Sequence, residues 1–143
     1  MMYVTAIFSS VLTLIFIKLS FKVIELRKIH KVSIGSGGVD VLERAMRAHA
    51  NFSEYAPISL ILMASLELNG APWLVVAVVG VFLVLGRYFH AKGIHEEGVD
   101  IENRVTGMKF TLVGLALSAS ANVAWIAYSF IVSARFAANF YVI

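Results

Sequence analysis

Arg44, Arg47, Asn51 and Glu54 follow one another at spacings of three, four and three residues, the rhythm of successive turns along a helix. The run that contains them, Glu43 to Asn69, is charged in its first half and apolar in its second. An ionised side chain left without a partner inside a bilayer costs about 2.5–3.5 kcal/mol on insertion scales. An ordered polar stripe on an apolar helix therefore demands a ligand or a protein partner. Guanidinium groups take carboxylates through paired hydrogen bonds, and a lone carboxylate such as Glu54 can hold an ammonium group. An arginine beside a thiol stabilises the thiolate, which is the nucleophile. The chemistry expected is recognition of a small zwitterionic polyanion beside an apolar phase able to dissolve a lipophilic second reactant.

The elements that must hold this stripe are helices in a membrane. Of the 143 residues 59% are hydrophobic and 15% charged, with a mean hydropathy of +0.83; a soluble domain of this size needs more polar surface. Several apolar runs approach the roughly 20 residues that span a bilayer as a helix, and short alternating segments of the barrel kind are missing. The fold class predicted is an all-α integral membrane protein, a single four-helix transmembrane bundle with spans at 3–22, 41–68, 73–90 and 105–132. With no cysteine, neither a disulfide framework nor a thiolate-ligated metal is possible. No metal site is expected, and nucleic acid is not an expected partner. No Lys or Arg precedes the first apolar run and the cleavage pattern is weak, so the first segment is expected to stay in the mature protein.

Seven of the Lys and Arg residues fall between Lys18 and Arg47, four between Arg87 and Lys109, none in the 69–72 turn and one at Arg135. The positive-inside rule puts both rich segments in the cytoplasm and both termini outside. Lys18 and Lys22 can snorkel to headgroups at the end of the first span, and a basic turn, 25–31, follows them. The glycine-rich stretch 34–40 lacks the preceding strand and the following Lys-Ser/Thr of a phosphate loop, so a flexible connector is predicted. Asp40 is expected to cap the second helix with Glu43 in a loose capping box, and Pro57 to loosen or kink that helix. This topology brings the polar start of helix two, the Arg87/His90 end of helix three and the Arg104 start of helix four to one depth. The expectation is one basic site facing the cytosol, in which Glu54 pairs with an arginine when no ligand is bound.

The run Glu43-Arg44-Ala45-Met46-Arg47-Ala48-His49-Ala50-Asn51-Phe52-Ser53-Glu54-Tyr55-Ala56-Pro57 resembles the signature of the MAPEG family, the membrane-associated proteins in eicosanoid and glutathione metabolism. The likeness extends over nearly the whole chain: four spans, a basic first loop, a short 2–3 turn, and Gly86-Arg87-Tyr88-Phe89-His90 ending helix three. It points to the small bacterial branch and to a microsomal glutathione transferase type of activity. The resemblance implies a homotrimer in a bacterial inner membrane. It also implies glutathione as co-substrate between subunits and a lipophilic small molecule that enters from the membrane lipid. In this likeness Arg47, Asn51 and Glu54 hold glutathione, with Glu54 toward the γ-glutamyl amino group, and Arg27 and Lys28 reach it from the neighbouring subunit. His49 lies near the tripeptide, and Arg87, Tyr88 and His90 form the helix-three contact. Arg104 is the implied catalytic residue that stabilises the thiolate. Two positions depart from catalytic relatives: Ile94 stands where they have tyrosine, and Val105 where some have serine. The acidic loop with Glu96, Glu97, Asp100 and Glu102 would act against a thiolate nearby.

The same residues admit other readings. Arg44 and Arg47 also suit cytoplasmic anchors, Asn51 and Glu54 suit interhelical hydrogen bonds, and Tyr55 and Tyr88 suit interface aromatics. His49 and His90 at one level could ligate a haem, although no second pair or attachment motif accompanies them. Ser118, Ser120 and Asn122 read as packing among small residues. The leading expectation for function is a glutathione-dependent transferase, or a peroxidase acting on lipid hydroperoxides. A non-catalytic lipid-binding or scaffold protein of the same fold is the alternative, and the presence of Arg104 argues against it. A small proton-coupled exporter would carry its carboxylate isolated in the first span, whereas Glu54 sits in the second beside arginines.

Overall fold

Runs of Leu, Ile, Val and Ala with few breakers favour helices, which satisfy every backbone donor and acceptor within the segment; apart from a closed barrel, hydrocarbon permits nothing else. The computed structural model describes residues 2–93 and 100–140 and folds them into α1 (Tyr3–His30), α2 (Asp40–Leu68), α3 (Trp73–Lys92) and α4 (Ile101–Phe140). No strand occurs among the described residues. Three helical stretches, Tyr3–His30, Trp73–Lys92 and Ile101–Ala137, are long and apolar enough to cross a membrane. Polar residues spread along α2, among them Asn51, Glu54 and Glu67, keep it from that composition, yet α2 packs against all three other helices. So does α3, whereas α1 and α4 flank this central pair without touching each other. The core lies in the half away from the charged ends, where Leu12, Met63, Leu66, Val76, Val79 and Leu83 are buried together. Large apolar side chains on the outside, among them Leu14, Phe21 and Phe130, suit contact with acyl chains.

Several boundaries differ from those expected, for local reasons. Helix α1 does not end at residue 22 in a basic turn; it runs on through Arg27 and Lys28 to His30, because Glu, Leu, Arg and Lys are all good helix formers. It stops at Lys31, which adopts a left-handed conformation (φ 53°) while the Val32 N–H donates to the Arg27 carbonyl at 3.0 Å. The glycine-rich stretch is not a loose connector. Arg27 Nη1 donates to the carbonyls of Ser33 (3.1 Å) and Gly35 (3.0 Å), and the fold this requires sets φ to 68° at Gly35 and 59° at Gly37, values glycine adopts without steric cost. Asp40 does not cap α2. It is the first helical residue, Val39 holds the cap position, and no side-chain cap bond forms there; the carboxylates of Asp40 and Glu43 act instead on the helix dipole. Helix α2 continues through Pro57. At 40 residues, α4 is about 60 Å long, twice a hydrocarbon thickness of about 30 Å, and so projects well past its predicted end at 132.

Two polar ties fasten the end of the bundle opposite the arginines. Glu67 on α2 accepts the backbone N–H groups of Val4 (2.9 Å) and Thr5 (2.8 Å), placing a carboxylate where the donors and the positive dipole end of α1 lie. Trp125 Nε1 donates to the Asn69 carbonyl at 2.8 Å, which pins α4 to the 69–72 turn.

Candidate functional site

The crossing of α3 and α4 decides where the functional side chains fall. A Cβ on Gly107 would lie 2.7 Å from the Gly86 carbonyl oxygen and 2.8 Å from His90 Cα. Only hydrogen at both positions lets the backbones approach so closely, the small-residue packing common between membrane helices. Arg87 and Thr111 then sit beside the crossing, with His90 and Arg104 about one turn toward the basic end.

Arg87 is 1% exposed and binds inside the protein. Its Nη1 donates to Asn51 Oδ1 at 2.7 Å and to the Asn51 carbonyl at 3.2 Å. Its Nη2 donates to Thr111 Oγ1 at 2.5 Å, and the Thr111 hydroxyl in turn donates a hydrogen bond to the Gly107 carbonyl at 2.9 Å. The Tyr55 ring covers the guanidinium at 5.2 Å from centroid to Cζ, a cation–π contact. Neutral partners on α2 and α4 thus hold a charge that belongs to α3, which locks three helices at one depth. The Arg87 Nε finds no partner.

Arg104 occupies the first turn of α4 and is half-buried. It lines a cleft of about 470 Å³ together with His90, Ile101, Val105, Met108 and Leu112. Its Nε is buried without a hydrogen-bond partner. Gly93 makes room for its stem, since a Cβ there would meet Arg104 Cγ at 2.7 Å. Asp100 belongs to the acidic loop, but its carboxylate caps α4 by accepting the Asn103 N–H at 3.0 Å and the Asn103 side-chain amide at 2.5 Å. Met108 joins the two arginine sites, because it lines the cleft and its sulfur lies 3.7 Å from Arg87 Nη2. Ile94, Glu96 and Glu97 lie outside the described residues.

The remaining predicted residues do not gather in this cleft within one subunit. Arg47, Glu54, Lys28 and Tyr88 are exposed. At 100° per residue the four positions spread over an arc of roughly 80° around α2, with Arg47 and Glu54 at its exposed edge, while Asn51 turns into the bundle and bonds Arg87. Glu54 has no arginine within 4.0 Å, and the ion pair among the described residues is Lys22–Glu25 at 3.3 Å. The expected Glu54–arginine pair is therefore not formed among the described residues. Arg27 is engaged by the loop carbonyls and by Met46 Sδ at 3.5 Å. His49 faces α1, with Nε2 3.1 Å from Ser20 Oγ and its ring 4.9 Å from that of Phe16. His90 instead lies in the α3–α4 seam, so the two histidines do not converge on one haem position. Among the described residues no group of three or more His, Asp or Glu is placed to hold a metal.

The sequence reading missed Thr111, Met108 and Gly107. The signal was there: Gly107, Thr111, Gly114 and Ser118 recur at four, three and four residues, a small-residue ridge along one face of α4.

Comparison with known proteins reaches over this whole arrangement. The MAPEG family profile matches residues 5–124, a stretch that contains Arg87, Arg104 and every other polar residue of the site. The inner membrane protein YecN of Escherichia coli (strain K12) is 35% identical over 132 residues, covering 92% of this chain and 99% of that protein. The protein of the same name from Escherichia coli O6:H1 matches to the same extent. The helical architecture, the α2 signature and the arginine positions on α3 and α4 thus belong together, and the chain is a member of the MAPEG family of integral membrane proteins.

Proposed function

We propose that this protein is a membrane-bound, glutathione-dependent transferase that can also act as a peroxidase on lipid hydroperoxides. The observation that carries the reading is Arg104, a half-buried guanidinium-bearing residue that lines a cleft whose other walls are mostly apolar. A thiol presented to this guanidinium ionises more readily, because the positive charge stabilises the sulfur anion. Ile101, Val105 and Leu112 offer a surface on which a lipophilic electrophile can lie. In conjugation the thiolate sulfur bonds to the electrophilic carbon while the leaving group departs with its electron pair, and the thiol proton goes to solvent. In peroxide reduction the thiolate attacks the terminal oxygen, the O–O bond breaks and an alcohol leaves. A second glutathione then converts the resulting sulfenic acid to the disulfide and water.

The exposure of Arg47, Glu54, Lys28 and Tyr88 on the subunit surface supports a homotrimer in which glutathione lies between subunits. The Lys and Arg distribution supports a site facing the cytoplasm of a bacterial inner membrane, with both termini outside. A non-catalytic lipid-binding protein of the same fold is favoured by one feature, the Arg87–Asn51 node, in which two implied glutathione contacts satisfy each other. The test is turnover in proteoliposomes with an aryl chloride and with an alkyl hydroperoxide. Arg104→Ala is expected to lower kcat by about 100-fold or more, the usual effect of removing one anion-stabilising donor. Unchanged turnover in that variant, or no glutathione-dependent turnover in the wild type, would defeat the proposal.

A further inference from the structure

A second groove, of about 1040 Å³, lies between α1 and α3 at the basic end of the bundle. Lys18, Lys22, Lys28 and Lys92 line it, against one carboxylate among the described residues, Glu25. On α1 the residues Lys18, Lys22 and Glu25 recur at four and three positions and so stack on one face. Glu25 sits 3.3 Å from Lys22, while Lys18, Lys28 and Lys92 have no carboxylate within 4.0 Å among the described residues. The floor is apolar, with Ile15 and Leu19 continuing below the lysines toward the middle of α1. Lys18 lies twelve residues before the end of α1, about 18 Å along the axis, where an ammonium must snorkel to reach polar surroundings. Several like charges along one apolar wall repel one another unless an anion joins them.

Both walls are membrane-spanning helices, and Phe21 and Ile24 are exposed beside the groove, so it opens sideways to the bilayer. We propose that it binds an anionic diacyl phospholipid. The phosphate lies among the ammonium groups of Lys18, Lys28 and Lys92, and one acyl chain follows Leu19 and Ile15 inward. Basic pockets between helices at the cytoplasmic level recognise anionic head groups in this way. Free phosphate would leave the apolar half of the groove unfilled. The groove shares Lys28 and Tyr88 with the proposed glutathione contacts, so the variants that test it avoid both.

Native mass spectrometry of the full chain in detergent, titrated with phosphatidylglycerol or phosphatidylcholine of identical chains, provides the test. The wild type is expected to prefer phosphatidylglycerol by tenfold or more, and excess inorganic phosphate is expected not to displace it. Lys18→Gln and Lys92→Gln are each expected to weaken that preference about fivefold, with unchanged helical content by circular dichroism. Lys31→Gln, outside the groove, is expected to leave it intact. Equal binding of the two lipids, or full preference in the Lys18→Gln/Lys92→Gln double variant, would overturn the proposal. Displacement by inorganic phosphate would reassign the site to a soluble anion. A disulfide between copies of the Phe21→Cys variant would show a second chain seated there and overturn it as well.

Discussion

Arg87 and Arg104 lie at one end of the bundle, yet their surroundings assign them opposite tasks. Arg87 is closed off and donates to Asn51 and Thr111, so its first effect is on folding. Arg87→Ala should leave those two side chains without their donor and destabilise the protein by about 3 kcal/mol. Arg87→Lys should recover little of this, because one ammonium cannot reproduce the planar fork that spans α2 and α4. Thermal unfolding in detergent followed by circular dichroism measures both variants, and a wild-type midpoint in Arg87→Ala would contradict the assignment. Arg104 is half-buried and lines a cleft instead of bridging three helices, so its removal should alter chemistry more than stability. The residue types of this site were legible in the sequence, because arginine and asparagine in an apolar helix stand out. Their division of labour was not. Which arginine is closed off depends on the rotation of α3 against α2, and which carboxylate pairs depends on where Glu54 points; neither is fixed by spacing within one helix.

Among the elements, α3 and α4 set the geometry through their glycines. Gly107→Ala places a methyl group against the backbone of Gly86 and His90, which cannot yield, so the helices must part and the Arg87–Thr111 bond must stretch. Gly114→Ala meets Phe82 Cβ at 3.1 Å, a side-chain contact that a small shift relieves. The first should cost about 1–3 kcal/mol, as overpacking does, and the second less than about 1 kcal/mol. Unfolding midpoints in one detergent compare them directly, and equal midpoints would contradict a backbone-limited crossing. The existence of four helices was plain from apolar runs of spanning length. Their ends were less so, because hydropathy marks where the bilayer stops and not where the helix stops. Helix α1 passes that boundary and continues to His30, and Lys31 ends it without the glycine that usually signals a C-terminus. Arg27 was read as a ligand-binding cation, and nothing in the spacing of the loop reveals that its carbonyls fold back onto that guanidinium.

For the whole molecule, the polar groups left outside the subunit carry the prediction. Arg47 and Glu54 are exposed on α2, a central helix of the bundle. Three chains assembled through this surface would give these side chains a shared ligand. The detergent-purified protein should therefore have the mass of three chains by light scattering. Glu54→Gln should keep that mass and the wild-type unfolding midpoint while weakening glutathione binding about tenfold, in line with loss of one hydrogen bond to a charged group. A monomeric mass, or glutathione binding unaffected by Glu54→Gln, would contradict the shared site.

The central claim is that Arg104 stabilises a glutathione thiolate at the mouth of the α3–α4 cleft. The most direct test is the ultraviolet difference spectrum recorded on adding glutathione to the purified protein at neutral pH, beside Arg104→Ala. A thiolate absorption band is expected in the wild type and is expected to be lost in the variant while the variant keeps its helical content. A band of equal strength in both proteins, or no band in a wild type that binds glutathione by calorimetry, would contradict it.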